Sequence, residues 1–205
     1  MILRIVRGRV AVDRVEGLTA ALDASPDGHA RMKPGLLRRH LGLRPLSGDE
    51  REVVLVTCWD TVDAAIAAEL ELDGVRGHDG ALDGATLDDG MRGVAYFEVD
   101  ESTLRRSEAS ADILRLSVGR VARGMDVDIQ QELRQRMHLL EPEMIEGYVG
   151  RRILRNDVEI AFISAWDREP DGRSLDAPMW PDISAGYDAF EVTTFRPVVN
   201  AAVAS

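Results

Sequence analysis

The sequence predicts an α+β protein made of two tandem ferredoxin-like repeats, β-α-β-β-α-β, that form a pseudo-dimeric α+β barrel within one chain. One observation is a recurrence: MIEGYVGRRILRNDVEIAFISAWD, from Met144 to Asp167, returns in looser form as KPGLLRRHLGLRPLSGDEREVVLVTCWD, from Lys33 to Asp60. Each copy is a glycine, a strand of mixed polar and apolar residues, a polar turn, a β-prone run and Trp-Asp. A second observation is that the flanking elements recur too. ILRIVRG at Ile2 returns as ILRLSVG at Ile113, and Phe97-Glu98-Val99 returns as Phe190-Glu191-Val192. Self-similarity on this scale marks a duplicated supersecondary unit, and it fixes architecture better than chemistry. The expected boundaries are 1–100 for the first repeat, 101–112 for a linker without apolar periodicity, and 113–198 for the second repeat.

In chain order, ILRIVRGRV alternates apolar residues with Arg4, Arg7 and Arg9, which predicts a strand with one covered face. Asp13 is placed to cap a helix whose apolar face carries Val15, Leu18 and Leu22, and SPDGHA ends it. LLRRHLGL and EVVLVTCW, joined by LSGDERE, predict a hairpin. After Trp59, Asp60 or Thr61 can cap the alanine-rich helix DTVDAAIAAELEL. An Asp-Gly-rich segment then leads to the strand VAYFEV. In the second repeat, DVDIQQELRQRMHLL predicts a helix with Ile129, Leu133, Met137 and Leu140 on one face and a capping box of Asp128 with Gln131. One element fails to recur: Pro170, Pro178 and Pro181 replace the second helix by a loop that carries Met179 and Trp180.

Composition excludes several classes of partner. A formal charge of −11 and a pI near 4.8 argue against a nucleic-acid partner. Cys58 is the single cysteine, so no intrachain disulfide or thiolate cluster can form, and its apolar setting predicts a buried thiol. Arginines interrupt the N-terminal apolar run, and no window approaches the ~18 apolar residues of a membrane span. The expectation is a soluble, cytoplasmic protein without a membrane partner. The acids between residues 73 and 90 lack the D-x-D-x-D-G spacing of a calcium loop, so no metal site is expected.

Pro34-Gly35 or Glu146-Gly147 leading the second strand, the hairpin, and a Trp-Asp closing the third strand ahead of a helix resemble the antibiotic-biosynthesis monooxygenase family of the dimeric α+β barrel superfamily. The resemblance spans about residues 1–100 and 112–198. It implies oxygen insertion into an electron-rich aromatic such as a polycyclic phenol or quinol, often with neither metal nor flavin, because the substrate anion itself reduces oxygen. It also implies that Trp59 and Trp166 line pockets, and that the tandem chain is a fused pseudo-dimer able to pair further as a homodimer. Where some members carry an asparagine four residues before this Trp and a tyrosine six after it, this chain has Leu55 and Ala65, and Phe162 and Gly172. Where haem-degrading relatives place a histidine about ten residues after the Trp, it has Glu69 and Asp176. The expected cofactor is none, with reduced flavin or haem as alternatives. The alternative functions are a non-catalytic small-molecule-binding protein, or a cyclase or isomerase of a similar aromatic substrate.

Seven of the ten aromatic residues lie from residue 112 onward, which favours the second repeat as the ligand site. Alternation along the third strands puts Phe162, Ser164 and Trp166 on one face, and Leu55, Thr57 and Trp59 on one face of the other. A hydroxyl thus sits beside each Trp. The expected pocket walls are Trp166, Phe162, Tyr148 and Trp180, the last two residues before Pro181 acting as a lid. Ser164 and His138 are the polar catalytic candidates, His138 because an imidazole titrates near neutrality and could take a phenolic proton. Trp59, His40 and Arg152 are further substrate-binding candidates, with Arg152 read as the counterpart of His40. Arg4 and Arg115 match in the opening strands and could face an anion, although half-exposed strands more often pair such arginines with carboxylates such as Glu98 or Glu191.

Overall fold

The computed structural model describes residues 1–23, 34–67, 94–104, 111–154, 158–168 and 186–202, excepting the side chains of 20–23, 190 and 199–202. The order is β1 (Ile2–Ala11), α1 (Val15–Asp23), β2 (Leu36–Pro45), β3 (Glu50–Trp59), a helical run over residues 62–67 (α2), β4 (Val94–Leu104), β5 (Ile113–Val121), α3 (Asp126–Leu140), β6 (Glu146–Ile153), β7 (Glu159–Trp166) and β8 (Tyr187–Ala202). The class is α+β, antiparallel sheet with few helices. Two compact units divide the chain: residues 1–95 with 198–205, and residues 96–197.

In unit 1, β3 is central, with β1 and β2 antiparallel on its two sides. The register sets Gly8 opposite Val53, Val6 opposite Leu55, Arg4 opposite Thr57 and Ile2 opposite Trp59. These positions share the face that α1 covers, where Val10, Leu18, Leu41 and Val53 form a core joined by Val15, Leu43 and Leu55. The expected cap at Asp13 does not form: Val12–Arg14 make a 3-10 turn ahead of α1, and Asp13 is exposed within it. The backbone N–H of Val12, held by Asp49 O at 2.8 Å, fixes the chain in that turn. At α2 the cap is Thr61, whose Oγ1 accepts the N–H of Ala64 at 3.2 Å.

The opening strand is covered on both faces, where one was expected. Arg4 and Arg7 are 2% and 4% exposed. On the face away from α1, Glu52 takes Arg7 on Oε1 (Nε 3.1 Å, Nη2 2.5 Å) and Arg44 on Oε2 (Nε 2.8 Å, together with Nη2). A buried carboxylate between two guanidinium groups is what lets an arginine-bearing strand be enclosed at all. Cys58 is buried and forms no disulfide, as expected.

In unit 2 the strand order is β4-β6-β7-β5-β8, all neighbours antiparallel. β4 runs on through Glu101–Leu104, the opening of the stretch read as a linker, because Ser102 and Thr103 continue the ladder opposite Tyr148 and Gly147. α3 lays Ile129, Leu133, Met137 and Leu140 on the sheet, the four residues its periodicity singled out. It starts at Asp126, before the expected capping box, and Met125 at the N-cap makes no side-chain bond. Asp126 and Asp128 in its first turn favour the positive helix end instead. Among the described residues, no helix is long and apolar enough to cross a membrane.

Asp100, on β4, contacts Gln130 and lies 3.9 Å from Arg134 of α3. Desolvation raises its pKa above the ordinary 3.8, outweighing the pull of Arg134 and Arg151. The folded chain therefore holds this proton more tightly than the unfolded one, and stability falls as pH rises from 3.8 through the folded value. Asp100→Asn removes that term. Its melting temperature, measured against wild type across pH 3 to 7, is expected to gain on wild type as the pH rises through that window and to show no such gain below it.

Candidate functional site

The two helix-covered faces carry the same short device. On β3 the indole N–H of Trp59 donates to Thr57 Oγ1 at 2.8 Å, and on β7 that of Trp166 donates to Ser164 Oγ at 3.0 Å. Period-2 alternation puts both members of each pair on one face, and cross-strand register then places an arginine directly opposite each hydroxyl: Arg4 opposite Thr57, Arg115 opposite Ser164. Trp59, Thr57, Trp166 and Ser164 are each at most 4% exposed. The devices differ in one respect. Thr57 also donates its hydroxyl proton, to Arg4 O at 3.4 Å, whereas the proton of Ser164 has no acceptor among the described residues.

The helix face of unit 2 is assembled from three strands and α3. β7 supplies Phe162, Ser164 and Trp166; β5 supplies Ile113, Arg115 and Ser117, opposite Trp166, Ser164 and Phe162 respectively. Leu133 and Met137 of α3 pack on Phe162 and Trp166 in one core cluster, with Val149 from β6. Tyr187 of β8 joins its edge, lying over Gly119. Burial pushes the Tyr187 phenol well above its usual range, so it stays protonated and serves as a neutral hydrogen-bonding group. A Cβ at Gly119 would sit 2.3 Å from Tyr187 Cδ1 and 2.9 Å from Ala189 O. Gly119→Ala is therefore expected to destabilise the protein by about 1–3 kcal/mol in urea unfolding, through overpacking against a ring and a backbone that cannot both yield.

Of the residues singled out in the sequence, Phe162, Ser164 and Trp166 come together as expected. Trp59 occupies the equivalent place in unit 1. Tyr148 does not join Phe162: its register partner is Ile163, so it faces the other side of the sheet. Arg152 is on that side as well, paired to Glu159 Oε2 with both side chains under 10% exposed. His40, opposite Val56, faces away from Trp59. Nor is Arg152 the counterpart of His40. Matched through the Trp-bearing strands, Arg44–Glu52 corresponds to Arg152–Glu159 and His40 to Tyr148. His138 lies on the outer surface of α3, its side chain 55% exposed and 3.8 Å from Glu141, while its neighbour Met137 points into the core. Trp180, with the loop meant to act as a lid, and the Asp-Gly segment lie outside the described residues.

Sequence reasoning missed three features. Arg4 is enclosed beside Thr57 and Trp59 instead of sitting at a half-exposed surface. Ser117, 2% exposed, is a hydroxyl on the same face as Ser164. The Arg7–Glu52–Arg44 cluster was hidden because its members lie on three strands; the alternation of arginine with apolar residues in β1 was its available signal. Among the described residues, no group of three His, Cys, Asp or Glu comes together as a metal site.

No family model matches the sequence, and no curated protein matches it. Solved structures do. A candidate monooxygenase from Fusobacterium nucleatum superposes with a TM-score of 0.74 at 12% identity, covering 98% of this chain and 94% of its own. A candidate monooxygenase from Lactobacillus acidophilus gives 0.63 at 18%, covering 98% and 95%, and an anthrone oxidase-like protein gives 0.59 at 12%, covering 98% and 92%. At these identities the likeness is one of fold, and it runs nearly the full length of each pair of chains.

Proposed function

We propose that this protein is a small-molecule oxygenase acting on an electron-rich aromatic, a polycyclic phenol or quinol, bound on the helix face of unit 2. The observation that carries the reading is the Ser164 hydroxyl. It is held by Trp166, faces the Arg115 strand position, and keeps a proton to give, whereas Thr57 has spent its own on the backbone. The solved relatives of the same fold include an anthrone oxidase-like protein, which fits the same substrate class.

In this reading Phe162 and Trp166 hold a flat apolar ring, and Ser164 donates to its phenolic oxygen. The Arg115 guanidinium, on the neighbouring strand, favours the ionised phenol and so lowers the pKa at which the proton leaves. The resulting anion is itself the reductant of oxygen. Reduced flavin is the alternative electron source. A haem fits poorly, since this face offers Arg115, Ser117 and Ser164 and, among the described residues, no imidazole or thiolate to serve as an axial ligand. The matched Trp-hydroxyl and Arg–Glu pairs of the two units support reading the chain as a tandem pseudo-dimer.

A second reading, a non-catalytic binding protein, is favoured by the outward position of His138, which leaves the described part of the face without a neutral-range base. The same position weighs against a cyclase or isomerase, which needs such a group. Oxygen uptake by the purified protein with hydroquinones and anthrones, with and without reduced flavin, separates the readings. Saturable uptake supports the oxygenase. Calorimetric binding of the same compounds without uptake supports the binding protein, and absence of both rejects the site.

A further inference from the structure

We infer that the Ser117 hydroxyl is a specificity-determining contact, hydrogen-bonding an oxygen atom of the ligand on the helix face of unit 2. The inference rests on the reading of that face as the ligand site. Ser117 is 2% exposed, and its Oγ has no hydrogen-bond partner among the described residues. Leaving a hydroxyl buried and unpaired costs its desolvation without return, and native proteins keep few such groups without a reason. The flanking backbone supplies no acceptor by default, since β5 is laddered on both sides, to β7 and to β8.

The fold does not demand a hydroxyl here. At the corresponding register position of unit 1, opposite Leu55, the residue is Val6. Valine is also the better strand former and would pack against Phe162 without an unpaired atom. Serine is therefore a departure that weakens the free protein, which a ligand atom would offset. Its location suits one: Ser117 is opposite Phe162, one pleat along β5 from Arg115, and diagonal to Ser164. Diagonal Cβ atoms across a strand pair lie about 7–8 Å apart, a spacing on the scale of the separation between oxygens at opposite edges of a fused two-ring aromatic. A serine hydroxyl both donates and accepts, so it can meet a hydroxyl or a carbonyl at the ring's far edge.

The test measures calorimetric affinity for 1-naphthol, which carries one oxygen, 1,5-dihydroxynaphthalene, which carries a second on the opposite edge, and naphthalene. Wild type, Ser117→Ala and Ser117→Val are compared. Expected is a loss of about five- to tenfold for the dihydroxy probe in either variant, with naphthalene unchanged and the ligand-free variants melting no lower than wild type. Should Ser117→Ala fail to fold, Ser117→Val carries the comparison, because Val6 shows the residue to be compatible with this place in the strand. Binding of the dihydroxy probe by wild type and undiminished binding by a folded variant would overturn the role of Ser117 and leave the site standing. Equal losses for all three probes would assign Ser117 to packing. No binding by wild type would overturn the site itself and the inference with it.

Discussion

Trp166→Ala is expected to cost about 3–5 kcal/mol of stability in denaturant unfolding, the range for emptying a large aromatic from a packed core. Trp166 is 1% exposed and belongs to one cluster with Leu133, Met137, Val149 and Phe162, so its removal unseats α3 from the sheet. The variant also leaves Ser164 Oγ without the indole N–H it accepts. Trp166→Phe separates the two contributions. It keeps most of the volume and loses the donor, and should cost a smaller amount, about 1–2 kcal/mol. In the oxygenase reading Trp166→Phe retains ring binding with reduced turnover, because Ser164 is no longer held in one rotamer. A loss below about 1 kcal/mol for Trp166→Ala would show that α3 is held to the sheet by its other contacts.

Glu52→Gln is expected to have a comparable effect, about 3–5 kcal/mol, for an electrostatic reason. The carboxylate is 2% exposed and bridges Arg7, itself enclosed, and Arg44, whose side chain is 35% exposed. Neutralising it leaves a buried guanidinium with no counter-charge on this carboxylate, while Arg44 can turn to water. Combining Glu52→Gln with Arg7→Met should recover part of the loss, since a buried ion pair is weakly stabilising as a whole although costly to break from one side. Additive losses in that double-mutant cycle would show that Glu52 and Arg7 are not coupled.

The strands were legible from alternation in β1 and from β-prone apolar runs in β3 and β7, and the α3 face from its Ile129, Leu133, Met137, Leu140 series. The Phe162–Ser164–Trp166 face followed from alternation within one strand, which needs no partner. Tyr148, His40 and Arg152 failed because placing them requires the phase between strands. Aligning the two copies by their glycines sets His40 against Arg152, whereas register against the Trp-bearing strands sets it against Tyr148. His138 failed for a simpler reason: one residue along a helix turns about 100°, so the neighbour of a core methionine points away from the core. The burial of Arg7 was illegible from β1 alone, because it depends on Glu52 and Arg44 arriving from β3 and β2.

The pairing of β4 has a bearing on how the chain is made. Tyr96–Leu104 finds its ladder partner in β6, which opens at Glu146, so the ribosome delivers this strand some forty residues before the strand it pairs with. At ordinary rates of elongation that is an interval of a few seconds. Throughout it, an apolar strand containing Tyr96, Phe97 and Val99 lacks its β6 partner and could recruit another nascent chain. Glu98, Asp100 and Glu101 crowd three negative charges into the same strand. Like charges on an unpaired edge repel a second copy, and two arginines later meet this group: Arg134 of α3, beside Asp100, and Arg151 of β6, opposite Glu98.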